Sequence, residues 1–208
     1  MHPGKRLFTF AMWLALLLLG CAGGRAALGT ELAEPAEIEA NGRYVHEPSG
    51  MVFPPAVLDF RRVEIYRYDK EGRDVSGGYN LERAGSPVIA TVYVYPIPKS
   101  DNPSANVAAS HFEEVKTAVM SAHPDAVQLK TDEVKVTQGK VTKSGLHALF
   151  RFAQPTPDGQ QMVRSEAYLF THGKWFIKYR LTYPEAHAEQ SVKDIKAFME
   201  TLKWLEGT

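Results

Sequence analysis

Cysteine is almost missing: the 208-residue chain has one, Cys21. A single thiol forms no internal disulfide, so the fold is built without such bridges even where an oxidising compartment would permit them. Long apolar runs are missing too. Leu7 to Leu19 (LFTFAMWLALLLL) is thirteen residues, whereas a membrane-crossing helix needs roughly 20. There is no dense basic run, and 24 Lys and Arg balance 24 Asp and Glu. A nearly neutral chain is not built to neutralise phosphates along a duplex, which removes nucleic acid from the expected partners. No internal repeat occurs. Neither H-E-x-x-H nor a clustered His/Asp set appears, so no metal or cofactor is expected. The nearest approach to a nucleophile elbow is Asp74-Val75-Ser76-Gly77-Gly78. Asp74 stands where the tight turn requires glycine, so Ser76 reads as a turn serine.

What is present begins at the N-terminus. Lys5 and Arg6 precede the apolar run, and the small residues Gly20-Cys21-Ala22-Gly23-Gly24 follow it. That is the pattern of a secretory signal over residues 1–20. Leu18-Leu19-Gly20-Cys21 resembles the lipobox of bacterial lipoprotein precursors. The resemblance implies cleavage before Cys21, a diacylglyceryl group on its thiol and a further acyl chain on the new amino terminus. It also implies an envelope protein held to a membrane by lipid and facing the periplasm. Ala22, in place of the aspartate that retains enterobacterial lipoproteins at the inner membrane, points to the outer membrane. A secretory signal cut later, near Gly23 or Ala26, and an uncleaved N-terminal anchor are the competing readings. One acyl chain binds a membrane with an association constant on the order of 10⁴ M⁻¹. Each further buried CH₂ adds about 0.8 kcal/mol, so a triacylated cysteine anchors almost permanently. Without residues 1–20 the chain keeps 22 basic groups against 24 acidic ones, a net charge of −2.

Residues 21–47 read as the lipidated cysteine and a flexible tether, rich in Ala, Gly and Glu and interrupted by Pro35. A short helix over 31–39 is the alternative. From there to 206 the texture is uniform, and a single globular domain is expected over 48–206. LDFRRVEIYRY, DVSGGYNL and PVIATVYVYP read as strands, the glycines of the second marking a bulge. Residues 104–122 have helical spacing, with Val107, His111, Val115 and Val119 on one face and Phe112 beside them. AVQLKTDEVKVTQ, SGLHALFRFA, QMVRSEAYLF and KWFIKYRLTYP are four more strands, the last two a hairpin about 171–174. A final helix from Pro184 carries Val192, Ile195, Met199, Leu202 and Leu205 as one stripe, with Phe198 beside it. The expected class is α+β: an antiparallel sheet of about seven strands covered by an internal and a C-terminal helix. This order of elements resembles the PsbP-like α/β/α sandwich. The resemblance implies binding or assembly rather than catalysis, and it assigns no site residue.

Candidate binding residues come from strand alternation. Tyr66 and Tyr68 lie two apart in one strand, and Tyr93 and Tyr95 two apart in another, so each pair shares a side. Val92 and Val94 point the opposite way and are the cheaper set to bury, because every buried tyrosine hydroxyl needs a partner. A stripe of amphipathic rings is left for a cleft or surface, unless a second helix layer covers it. Lys174, Lys178 and Arg180 alternate along the last strand and Arg151 ends another. On one face they would meet an anionic headgroup or an acidic partner; a solvated strand face explains them equally. His111 and Glu114 form an H-x-x-E pair on a helix face, while His147 and His172 have structural settings in a strand and a turn.

These residues predict a lipid-anchored binding or assembly module whose partner is an envelope protein or a small ligand. A periplasmic hydrolase and a structural spacer are the alternatives. Cys21→Ser should abolish acyl labelling and leave an unprocessed or soluble product. A mature-sized Cys21→Ser band that still partitions with membranes would overturn the lipid anchor.

Overall fold

Period-two alternation builds most of the molecule. The computed structural model describes residues 34–84, 86–99, 106–157 and 159–204; Cys21 and the lipobox-like residues lie outside them. The strands are β1 (Ala36–Glu37), β2 (Tyr44–His46), β3 (Met51–Phe53), β4 (Ala56–Val57), β5 (Phe60–Arg67), β6 (Val75–Leu81) and β7 (Val88–Pro96). Helix α1 (Val107–Ala122) leads to β8 (Val127–Gln138), β9 (Val141–Thr156), β10 (Gly159–His172) and β11 (Trp175–Pro184). A 3-10 turn over Glu185–His187 precedes α2 (Ala188–Thr201). One sheet runs in the order β1-β5-β6-β7-β11-β10-β9-β8, with β4 also pairing β5, while β2 and β3 form a separate hairpin. Every pairing is antiparallel.

The expected seven strands and two helices are therefore present as β5 to β11, α1 and α2. The departures lie at the N-terminal side. Residues 34–47, read as tether, are folded against the core. Ile38 N–H donates to the Ile65 carbonyl at 2.8 Å, Ile38, Ala40 and Tyr44 pack on the buried cluster, and His46 is fully buried. Their apolar residues are too sparse to show a period, but the sheet supplies an edge for β1 and an apolar floor for β2–β3. Arg62 holds this segment down. Its guanidinium donates to the carbonyls of Ala40 (2.7 Å), Gly42 (2.6 Å) and Phe53. The register shifts also fall elsewhere than expected, between Arg62 and Glu64 of β5 and between Gln128 and Lys130 of β8 rather than on β6. Gly77 is instead a close-approach position, since a Cβ there would stand 2.5 Å from the Phe53 ring.

Two cores lie on opposite sheet faces. The first takes Val75, Tyr79, Val92, Val94, Ile177, Tyr179 and Leu181 from the sheet under Ile195, Phe198 and Met199 of α2. Val192 is 45% exposed, so the buried stripe of α2 runs through Ser191, Ile195, Phe198 and Met199. Buried Gln138 locks the end of this helix. Its amide donates to the carbonyls of Met199 (2.7 Å) and Leu202 (2.6 Å) and accepts from Trp204 N–H (3.0 Å), satisfying groups a helix terminus leaves open. The second core joins Phe112, Val115 and Val119 of α1 to Ala148, Phe150, Phe152, Ala167, Leu169 and Phe176. Among the described residues no helix is long and apolar enough to cross a membrane.

Arg62→Ala should lower stability by about 1.5–3 kcal/mol, the range for hydrogen bonds made by a charged group, and expose residues 34–46 to proteolysis first. Unchanged protease resistance of that segment would show that Arg62 does not hold it.

Candidate functional site

Helix α1 covers only part of its sheet face. It packs on β9, β10, the Phe176 end of β11 and Tyr95 at the end of β7, and on that face no described helix lies over β5, β6 or the rest of β7. The side chains on that uncovered half are the ones strand alternation turns away from the α2 core. Val92 and Val94 are fully buried, whereas Tyr93 and Tyr95 on the same strand remain half-buried. Tyr66 is the register partner of Ser76, and Ser76 of Tyr93, so the tyrosines of β5 and β7 share this face.

The four tyrosines fall into distinct settings. Tyr68 donates to or accepts from Ser76 Oγ at 2.9 Å, and its ring centroid lies 6.3 Å from that of Tyr93. Tyr95 sits at the margin of α1, its hydroxyl 2.7 Å from His111 Nε2 and its ring 5.6 Å from Phe176. His111 Nδ1 is 2.9 Å from Glu114 Oε2, so the H-x-x-E pair is a helix-to-sheet brace and not a pair of ligands. Tyr66 is half-buried on β5, paired in register with Glu37 of β1.

Cations complete the face. Lys178 Nζ stands 4.1 Å from the Tyr93 ring centroid and 5.3 Å from that of Tyr95, within cation–π reach of both. Arg180 follows two residues on, flanked in register by Thr91 and Ala167. Its Nη2 donates to Ser165 Oγ at 3.2 Å, and its buried Nε has no hydrogen-bond partner among the described residues. Burial pushes the Asp74 carboxyl up to about 6 and Lys178 pulls it down, so Asp74 is the counter-charge that Lys178 feels. The other two sequence-level cations lie elsewhere. Lys174 is in the β10–β11 turn over Trp175 at 5.8 Å, and Arg151 is on the α2 face, 3.9 Å from Glu185.

A second polar cluster, on the α2 face, went unread in the sequence. His147 is held between two carboxylates, Nδ1 at 2.8 Å from Asp132 Oδ1 and Nε2 at 2.8 Å from Glu166 Oε2. Tyr168 donates to Glu166 Oε2 and Tyr183 to Glu166 Oε1 at 2.6 Å. Asp132 and Glu166 stand 15 and 19 residues from His147 in the chain, brought to it by the pairing of β8 and β10 with β9. Both ring nitrogens are occupied, and among the described residues no group of three His, Cys, Asp or Glu is arranged to hold a metal ion. Ser76, at the failed elbow, is buried within β6. The close Ser–His pair, Ser49 Oγ to His46 Nδ1 at 2.6 Å, has the Gly72 carbonyl, not a carboxylate, on the second ring nitrogen.

The His147 cluster has a definite pH signature. Burial works against the charged ring, but the bonds to Glu166 and Asp132 outweigh it and raise His147 above 6.5. Burial likewise opposes ionisation of Glu166 and Asp132. The His147 bond, with the Tyr168 and Tyr183 bonds on Glu166 and the Lys130 pair on Asp132, holds them below 4.5 and 3.8 respectively. The carboxylate contribution is therefore complete above about 4.5 and lost on acidification through the folded values. The histidine contribution is complete below 6.5 and lost as pH rises through its folded value. Melting temperature should pass through a maximum between those limits, and His147→Gln should flatten the profile. An unaltered profile in His147→Gln would remove the cluster as its source.

No family model matches the chain, and no curated protein matches it. Among solved structures it is similar to the solution structure of cyanobacterial PsbP (CyanoP) from Synechocystis sp. PCC 6803, at 14% identity and a TM-score of 0.39. That similarity covers 88% of this chain and 98% of the other. It is also similar to the Ran-binding protein Mog1p of Saccharomyces cerevisiae, at 12% identity and a TM-score of 0.35, over 83% of this chain and 96% of that one. At these scores the fold stands on its own strand order and helix placement: a mostly antiparallel α+β sheet with an internal and a C-terminal helix.

Proposed function

We propose that this chain is a lipid-anchored binding or assembly module of the bacterial cell envelope, PsbP-like in arrangement, and that it works through the tyrosine- and cation-bearing sheet face beside α1. The observation that carries this reading is the uneven cover of the sheet. One face is closed by α2 and the β2–β3 hairpin. The other leaves Tyr66, Tyr68, Tyr93, Lys178 and Arg180 half-buried beside the helix. Tyrosine and arginine are the residues that contribute most where proteins recognise partners, because they combine apolar area with directed donors. The address is supported by Leu18-Leu19-Gly20-Cys21 and the apolar run before it.

Site-specific photocrosslinking in intact membranes tests this reading. A photoreactive residue at Tyr66 should give discrete adducts, while one at Lys196, 75% exposed on α2, should not. Tyr93→Ser should weaken the Tyr66 adducts at a stability cost of about 0.5–3 kcal/mol, the common range for a substitution at a half-buried position. Identical adducts at 66 and 196 would sink the proposal.

A further inference from the structure

Arg180 is the unusual group on this face. Its Nε is buried without a hydrogen-bond partner among the described residues, where the guanidinium's one side-chain hydrogen bond is the 3.2 Å bond from Nη2 to Ser165 Oγ. No carboxylate pairs with it among the described residues. Lys178 has Asp74, and Arg164 and Arg151 share Glu185. A guanidinium N–H withdrawn from water and left unused is costly, and an unsatisfied buried donor in a native protein calls for a physical reason.

The neighbouring groups offer more donors of the same kind. Ser165, fully buried, accepts from Arg180 and from Thr182 Oγ1 at 3.2 Å, which leaves its own proton unassigned. Tyr93, half-buried on β7, adds a hydroxyl close enough for Arg180 and Thr91 to favour its charged form against burial. Ala167 is the register partner of Arg180 on β10, so no large side chain crowds the guanidinium from that strand. The charge is felt nearby: burial first, then Arg180, lowers His123 at the end of α1, where Asp125 acts in the opposite sense. Polar groups of three strands, Tyr93 on β7, Ser165 on β10 and Lys178 on β11, thus share the sheet face of Arg180, and no carboxylate pairs with its guanidinium among the described residues. Glu64 and Asp74 act on Tyr93 from the β5–β6 side, and burial raises both carboxyls.

We infer that the Arg180 edge, with Tyr93, Ser165 and Lys178 around it, is a site for the phosphate group of an anionic ligand. This rests on the reading of the face as a binding surface and names the chemistry it selects. Guanidinium is the side chain suited to oxyanions, offering a planar fork of donors. A tetrahedral phosphate accepts donors converging from several strands, whereas a carboxylate accepts mainly in its own plane. The phosphate has two sources, a soluble phosphomonoester or a lipid headgroup at the membrane to which the chain would be tethered.

Thermal denaturation of the full chain in detergent micelles, titrated with inorganic phosphate, tests the site. Phosphate should raise the melting temperature saturably, and acetate at matched ionic strength should not. Arg180→Gln should bind phosphate at least tenfold more weakly while melting, without phosphate, no lower than the parent, since it removes an unpaired buried charge. Should Arg180→Gln fail to fold, Tyr93→Phe gives the same reading with only a hydroxyl removed, and a several-fold loss is expected. No saturable response in the parent, an equal response to acetate, or undiminished binding in both variants would overturn the site. Glycerol 3-phosphate and vesicles of phosphatidylcholine with or without phosphatidic acid then separate the sources. Displacement of phosphate by the soluble ester alone indicates a free ligand, and displacement by the phosphatidic acid vesicles indicates a headgroup. Discrete Tyr66 crosslinks without a phosphate response overturn this inference alone. A phosphate response without such crosslinks supports the site and overturns the envelope-module reading.

Discussion

Strand β11 is the constraint on which the molecule turns. It lies between β7 and β10, under α2 on one face and meeting α1 at its Phe176 end on the other, so its residues divide strictly by parity. Trp175, Ile177, Tyr179, Leu181 and Tyr183 are buried in the α2 core, while Phe176, Lys178, Arg180 and Thr182 face the α1 side. A slip of one residue would put a lysine and an arginine into an aliphatic core and expose five large apolar side chains. The same parity that excludes that register places two cations beside the tyrosines of β7. Core formation and the candidate site are therefore one choice of register, seen from opposite faces.

The two helices use this strand unequally. Helix α2 is fixed at its end by Gln138 and Trp204, whose indole donates to the buried Tyr179 hydroxyl at 2.7 Å. Helix α1 reaches only as far as Tyr95, where His111 stacks on Phe176 at 4.8 Å and bonds the tyrosine. Tyr95 marks the margin between the covered part of the sheet and the part left to tyrosines and cations. A face whose packing stops at a hydrogen-bonded aromatic margin presents rigid rings with fixed donors, and it loses little side-chain freedom on contact with a partner.

Buried charge is treated in two opposite ways. Around His147 every partner is supplied: two carboxylates, two tyrosine hydroxyls and the Lys130 ammonium 2.6 Å from Asp132. Such a closed set joins β8, β9, β10 and β11 and specifies their pairing through directed bonds. Around Arg180 the donors accumulate without a carboxylate to receive them. The first arrangement is complete within the chain and suits a structural role. The second is incomplete within the described residues, and it is the one proposed to take a ligand.

Much of this was present in one dimension. Alternating runs such as Val88–Pro96 and Trp175–Pro184 determined the strands, and the three- and four-residue spacing of Ile195, Met199 and Leu202 determined α2, because both periods express which face is buried. The same alternation separated Tyr93 and Tyr95 from Val92 and Val94. The strand identity of residues 36–46 was not legible, because β1 and β2 owe their form to a sheet edge and to the Arg62 bonds rather than to their own apolar content. Nor was the His147 cluster, whose members are adjacent only across paired strands. Which cations share a face with the tyrosines, and which already have a partner, was likewise decided in three dimensions. Local periods fix how a segment buries its side chains, but the meeting of polar groups from different strands depends on register and strand order, which only the assembled sheet defines.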